Sequence, residues 1–156
     1  MALEVERKFL VSDPAWRAAA GGRSAIVQFY VIVDADRSLR VRIRDEVSAT
    51  MTVKFGEGAR RREEFIYPLP LADALAMRDA AIGRVLEKIR HLVAWRGRVY
   101  EIDEFAGPLA GLVVAELETE DDVPDADLPP WLGVEVTDDK RYLNVNLALG
   151  DGGPPP

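Results

Sequence analysis

The chain contains no cysteine. Disulfides, thiolate zinc centres and cysteine nucleophiles are therefore excluded. Histidine is almost as scarce: His91 is the single one among 156 residues, and one imidazole makes no histidine metal cluster. Its register, opposite Lys88 and Arg90, assigns it a structural place. No apolar run approaches the length of a bilayer span, and no basic segment precedes an apolar one at the N-terminus. A cytoplasmic location without a membrane partner is the expectation. A net charge of -7 argues against broad electrostatic attraction to nucleic acid. In so acidic a chain, any local concentration of arginine and lysine carries information. What remains is an ordinary globular composition, 48% apolar and 30% charged, long enough for one domain with its own core.

The sequence divides into short alternating segments separated by turn signals. "LEVERKFLV" opens as a strand. "SDPAWRAAAGG" has a capping residue, an early proline and a Gly-Gly stop, which predicts a short helix. "SAIVQFYVI", "SLRVRIR", "TMTVKF" and "RRREEFIYPL" follow as strands, with "GEG" at 56–58 read as a hairpin turn and not a phosphate loop. "PLADALAMRDAAIG" predicts a helix closed by its glycine. Three further strands lie in "RVLEKIRHLVAW", "GRVYEIDEF" and "GLVVAELE". A polar connection spans 119–130, "DDKRYLNVNLAL" reads as a final helix, and 151–156 as a disordered tail. Residues 1–150 thus read as a single α+β domain, an eight-stranded antiparallel sheet closed into a β-barrel with a few flanking helices.

Two-residue register sorts the charges. Glu4, Glu6 and Lys8 share one face, as do Arg40, Arg42 and Arg44. Lys54 shares a face with Thr52, Arg62 with Glu64, Lys88 with Arg90, Glu101 with Asp103, and Glu116 with Glu118. Amphipathic strands with one wet side explain any of these singly. Yet signs are grouped within strands, and three arginines in a row repel one another unless an anion lies across them. If the sheet closes, the first and last strands become neighbours and Glu4, Glu6, Glu116 and Glu118 converge. Such a cluster suits a hard cation such as Mg2+ or Mn2+. Basic rows beside it form a receptor for a compact polyanion, a phosphate chain, with hydrolysis as the reaction.

Taken in order, the Glu-x-Glu-x-Lys of "LEVERKFLV", the arginine row, the basic pair and the closing Glu-x-Glu resemble the CYTH domain, or triphosphate tunnel metalloenzyme, superfamily over about residues 2–148. The resemblance implies an eight-stranded barrel with a charged tunnel. It implies hydrolysis of inorganic triphosphate, a small-molecule substrate, to pyrophosphate and phosphate. By motif, Glu4, Glu6, Glu116 and Glu118 become metal ligands, assisted by Asp103, with Mg2+ or Mn2+ as the cofactor. Lys8, Arg40, Arg42, Lys54, Arg62, Lys88 and Arg90 grip the substrate. Glu64 orients those cations or a water, and joins Glu4, Glu6 and Lys8 in the catalytic set. The last helix closes one tunnel end, bringing Lys140 or Tyr142 toward substrate. Arg44 sits at the mouth and pairs with Asp45 or Glu46. Trp16, Trp95 and Trp131 cover the outside. The alternatives on the same fold are adenylate cyclisation, hydrolysis of thiamine or nucleoside triphosphates, and a non-catalytic polyphosphate or nucleotide sensor.

Overall fold

The computed structural model describes residues 2–56, 61–120 and 122–150, with side chains described from Glu6 and, after 56, from Glu63. Glu57 and Gly58 of the expected "GEG" turn, and the expected tail at 151–156, lie outside the described residues.

Alternation of β-branched or aromatic residues with polar ones produces eight strands. These are β1 (Ala2–Leu10), β2 (Ala20–Val33), β3 (Arg37–Arg44), β4 (Ser48–Phe55), β5 (Arg61–Leu69), β6 (Ile82–Trp95), β7 (Arg98–Phe105) and β8 (Val113–Glu118). Every pairing is antiparallel, and neighbours run β1-β5-β4-β3-β2-β6-β7-β8. β1 pairs with β5 through Ala2–Val5 and with β8 through Glu6–Leu10, so the first strand lies against the last. Beyond Val5, the edge that β5 does not cover is taken by residues 133–137. There Gly133 and Val136 donate backbone N–H groups to Leu10 and Lys8, and Leu10 donates to Val134.

Hydrophobic residues pack mainly on the outer face of this sheet. Phe9, Val93, Tyr100, Ile102, Ala115 and Leu117 are buried beneath Trp16, Val123 and Trp131. Phe29, Val41, Ile43 and Ala49 are buried beneath Ala74 of α1 (Leu71–Met77). The tryptophans therefore cover the outside, as expected. His91 also belongs there: its ring tilts against Trp16 at 4.9 Å and Nε2 lies 2.7 Å from Glu104. A third cluster occupies one end of the inner face, where Tyr30, Leu86, Phe105 and Val114 meet Leu147 and Ala148 of α2 (Asn144–Leu149).

The helices are shorter than the sequence pattern predicts. Pro14–Ala19 is a 3-10 turn capped by Asp13, whose carboxylate accepts from the Ala15 N–H. Gly21 and Gly22 do not stop it; they lie inside β2, at a bulge against β6. α1 ends at Met77 and continues as a 3-10 turn over Arg78–Ala80. Gly83 is not its cap but part of β6, at φ +70°, where the carbonyl of Ala148 packs so close that any Cβ would collide with it. The final helix divides into a 3-10 turn, Lys140–Tyr142, and α2, because Leu143 is extended between them.

Candidate functional site

Side chains that alternate with the outer core necessarily face inward. Cross-strand pairing then sets them side by side: Lys8 opposite Glu116, Glu6 opposite Glu118, Lys54 opposite Glu64, Arg90 opposite Asp103, and Glu101 opposite Glu116. A cavity of about 240 Å3 lies between them. Its described lining includes six cations, Lys8, Arg40, Arg42, Arg44, Lys54 and Arg90, and five carboxylates, those of Glu6, Glu64, Glu101, Glu116 and Glu118. Arg40 and Glu116 thus face the same space, as the register argument requires. Glu4 and Arg62 are register partners on β1 and β5, and their side chains lie outside the described residues.

The acidic groups separate into two kinds. Glu6, Glu116 and Glu118 can each bring one oxygen within 4.8 Å of the others, a spacing that suits a shared metal ion. Glu116 is buried, and burial opposes its ionisation. Lys8, at 3.5 Å, and then Arg90, Lys88 and Lys54 outweigh that effect and hold the carboxyl well below the usual range. Asp103 stands apart from this trio. It is forked by Arg90, Nε at 2.8 Å and Nη2 at 2.9 Å, and receives Lys88 Nζ at 2.8 Å. Burial opposes its charge too, and Lys88 and Arg90 together keep its pKa lowered. Glu101 pairs with Arg90 at 2.7 Å.

The cations also differ. Burial pushes Lys88 down to about 7, with Asp103 as the main group opposing that shift. Lys88 is not one of the residues that line the cavity; it lies over the Phe105 ring at 5.4 Å and 3.5 Å from Asn144 Oδ1. Arg90 is raised instead, because Asp103 outweighs its burial. Arg40 Nη2 reaches Thr52 Oγ1 at 3.4 Å and Glu64 at 4.0 Å, and Lys54 stands 4.0 Å from the same carboxylate. Burial first, and then Arg40 and Arg90, push Arg42 down to about 9. Its Nε and Nη2 donate to Gln28 Oε1 at 3.0 and 2.8 Å.

Arg44 lines the cavity as expected, but not through the expected partners. Asp45 accepts instead from the Ala25 N–H, and no ion pair joins Arg44 to Asp45 or Glu46. The tail reaches the site differently as well. The Tyr142 carbonyl accepts from Lys8 Nζ at 2.8 Å while its ring is buried, and Lys140 lines a neighbouring cleft. Asn144 and Val145 are the tail residues that line the cavity itself. Sequence register alone missed Gln28, Tyr30, Ser38 and Asn144. Of these, Ser38 is in phase with Arg40 on its own strand, which was the available signal, whereas Gln28 and Tyr30 meet Arg42 and Arg40 only through the pairing of β2 with β3.

Known proteins resemble this chain in sequence and in fold. The chain is 38% identical to the inorganic triphosphatase of Acetivibrio thermocellus over 148 residues, 94% of each chain. It is 34% identical to the inorganic triphosphatase of Nitrosomonas europaea over 151 residues, covering 94% of this chain and 97% of the relative. The solved structure of the inorganic triphosphatase NE1496 superposes with a TM-score of 0.65 at 32% identity, over 96% of both chains. Residues 2–148 match the CYTH domain, and the chain belongs to that family.

Proposed function

We propose that this chain hydrolyses inorganic triphosphate to pyrophosphate and phosphate in a divalent-metal-dependent reaction. One observation carries the reading: a trio of carboxylates, Glu6, Glu116 and Glu118, adjoins a set of inward cations in a single cavity. The names of the two relatives and of the solved structure support the same activity. In this reading the sheet is a closed barrel and its inner face a tunnel. Residues 1–150 act as one domain in the cytoplasm.

The donor set fits a hard cation, since it offers carboxylate oxygens and neither nitrogen nor sulfur. Glu6, Glu116 and Glu118, joined by Glu4, would hold Mg2+ or Mn2+. When bound, that ion supplies Lewis-acid polarisation of a phosphate oxygen. The remaining work belongs to side chains. Arg40, Arg42, Arg62 and Arg90 fork phosphate oxygens, while Lys8 and Lys54 act as point charges. Glu64, shared by Arg40 and Lys54, holds both in place. Asp103 serves as the counter-ion of Lys88 and Arg90 and not as a metal ligand. Phosphoryl transfer needs alignment and charge stabilisation more than covalent help, so no nucleophilic side chain is required.

The test supplies tripolyphosphate, ATP, thiamine triphosphate and long-chain polyphosphate with Mg2+ or Mn2+, and measures phosphate and cyclic AMP. Fast phosphate release from tripolyphosphate, abolished by chelator or by Glu6→Gln, is the expected result. Cyclic AMP as the main product, or tight binding without turnover under either metal, overturns the proposal.

A further inference from the structure

Among the buried polar side chains, Gln28 has no obvious reason to be polar. It is fully buried on β2, opposite Arg42 of β3 and Leu86 of β6. Its carbonyl takes two N–H groups from one edge of the Arg42 guanidinium, at 3.0 and 2.8 Å. Its amide nitrogen finds no partner among the described residues. Turning the amide over would set NH2 against two donors, so the orientation is dictated by Arg42. A buried donor left unpaired is destabilising, and such a group calls for an explanation.

A glutamate in the same place would remove the orphan donor and give Arg42 an ionic partner. The neighbouring cations have such partners: Lys8 has Glu116, Lys88 and Arg90 have Asp103, and Arg40 and Lys54 approach Glu64. Among the described residues, Arg42 has no carboxylate at salt-bridge distance, and its hydrogen-bond acceptor is neutral. The two donors held by Gln28 leave Nη1 and the outer N–H of Nη2 for the cavity that Arg42 lines.

We propose that Gln28 is a positioning residue of the triphosphate site: it aims the Arg42 guanidinium into the cavity while withholding a counter-charge, so that the polyanion itself supplies it. This rests on the anion-binding reading above and deepens it. An aimed but uncompensated cation gains most from a densely charged ligand. The amide orders Arg42 without competing for it, whereas a carboxylate would order it and compete.

The experiment uses the full chain and inorganic tripolyphosphate as the probe. Metal-free binding is measured by titration calorimetry in chelator, and hydrolysis with Mg2+ separately. Gln28→Glu should weaken metal-free binding by about tenfold or more, the scale of one added charge interaction. Gln28→Met keeps length and net charge but removes the acceptor. It should raise KM by about threefold or more, from loss of an ordered charge-assisted hydrogen bond, while kcat changes less. A merely structural Gln28 shifts the melting temperature and leaves both readouts alone. If folded Gln28→Glu binds tripolyphosphate as the wild type does, the inference is overturned. If Gln28→Glu does not fold, Gln28→Met decides, and a wild-type KM in that variant overturns it equally. A wild-type chain that neither binds nor hydrolyses tripolyphosphate overturns the functional reading and this inference with it. Variants that match an active wild type overturn the inference alone.

Discussion

Replacing Asp103 by asparagine keeps the shape of the side chain and removes its charge, which strands two buried cations. Asp103 is 1% exposed, with Lys88 Nζ at 2.8 Å and Arg90 at 2.8 and 2.9 Å. Removing one partner of a buried ion pair costs about 3–5 kcal/mol. Two features pull Asp103→Asn toward the lower end. Arg90 keeps Glu101 at 2.7 Å. Lys88, already pushed down to about 7 by burial, loses the group that most favours its charge and sheds its proton at neutral pH. The expected loss is therefore about 3 kcal/mol, or roughly 6–12 °C in Tm for a chain of this size. Thermal and urea unfolding in chelator measure it with no metal contribution. A loss below about 1 kcal/mol refutes the counter-ion assignment. A metal-ligand role for Asp103 predicts the reverse pattern, with apo stability nearly unchanged and metal affinity reduced.

Three other outcomes follow from named contacts. The unfolded chain keeps the Lys88 proton up to about 10.5, while the folded chain releases it at about 7. Between those values the unfolded state binds more protons, so Lys88 makes stability rise with pH across that window. Lys88→Met should flatten this limb of a urea-unfolding pH series, and an unchanged slope would refute the assignment. Gly83→Ala forces a left-handed backbone on alanine and drives its Cβ into the Ala148 carbonyl. It should destabilise by about 2 kcal/mol or more and expose the Lys140 and Arg141 bonds to limited trypsin digestion; an undigested tail would count against it. Thr137→Val removes the oxygen that accepts the Lys8 N–H at 3.0 Å and donates to Glu135 at 2.6 Å. A loss of about 1–2 kcal/mol is expected, with faster hydrogen exchange at the Lys8 amide. Unchanged protection there would sink the idea.

Much of this arrangement was legible in sequence because a strand's two-residue period is rigid. Once Arg40 and Arg42 were in phase with each other, and Val41 and Ile43 with the outer core, their faces were settled. The pairing of β1 with β8 was legible for a related reason: the two ends carry matching acidic pairs, which met as register partners Glu6 and Glu118. Helix lengths were less legible. "SDPAWRAAAGG" has helical punctuation, but β2 begins at Ala20 and sheet pairing overrides local propensity. Gly83 resembles a helix cap in sequence, whereas a contact from a helix more than sixty residues later explains it. The contacts of Asp103 were hidden for the same reason. Its type suits a metal, and only the positions of Lys88 and Arg90 across β6 reveal what occupies its oxygens.

The tail illustrates how far local propensity and function can diverge. α2 has six residues, too few to be helical in isolation. It is ordered by what it covers: Leu147 and Ala148 close the apolar end of the inner face against Leu86, Phe105 and Val114. Just before it, residues 133–137 run beside β1, anchored by Arg7, which forks Glu135 at 2.9 and 2.8 Å and donates to the Val123 carbonyl. Three groups from residues 136–142 then converge on Lys8. The Val136 N–H donates to its carbonyl, Thr137 Oγ1 accepts from its amide, and the Tyr142 carbonyl accepts from its ammonium. Lys8 thus depends on the tail for position, and the tail depends on the sheet for order. Changes in 133–142 should therefore act on anion binding through Lys8, although Tyr142 and Lys140 do not line the cavity. The same contacts explain why so charged an interior is tolerated: its stabilisation comes from apolar clusters outside the sheet and at one end, leaving the inner face available for chemistry.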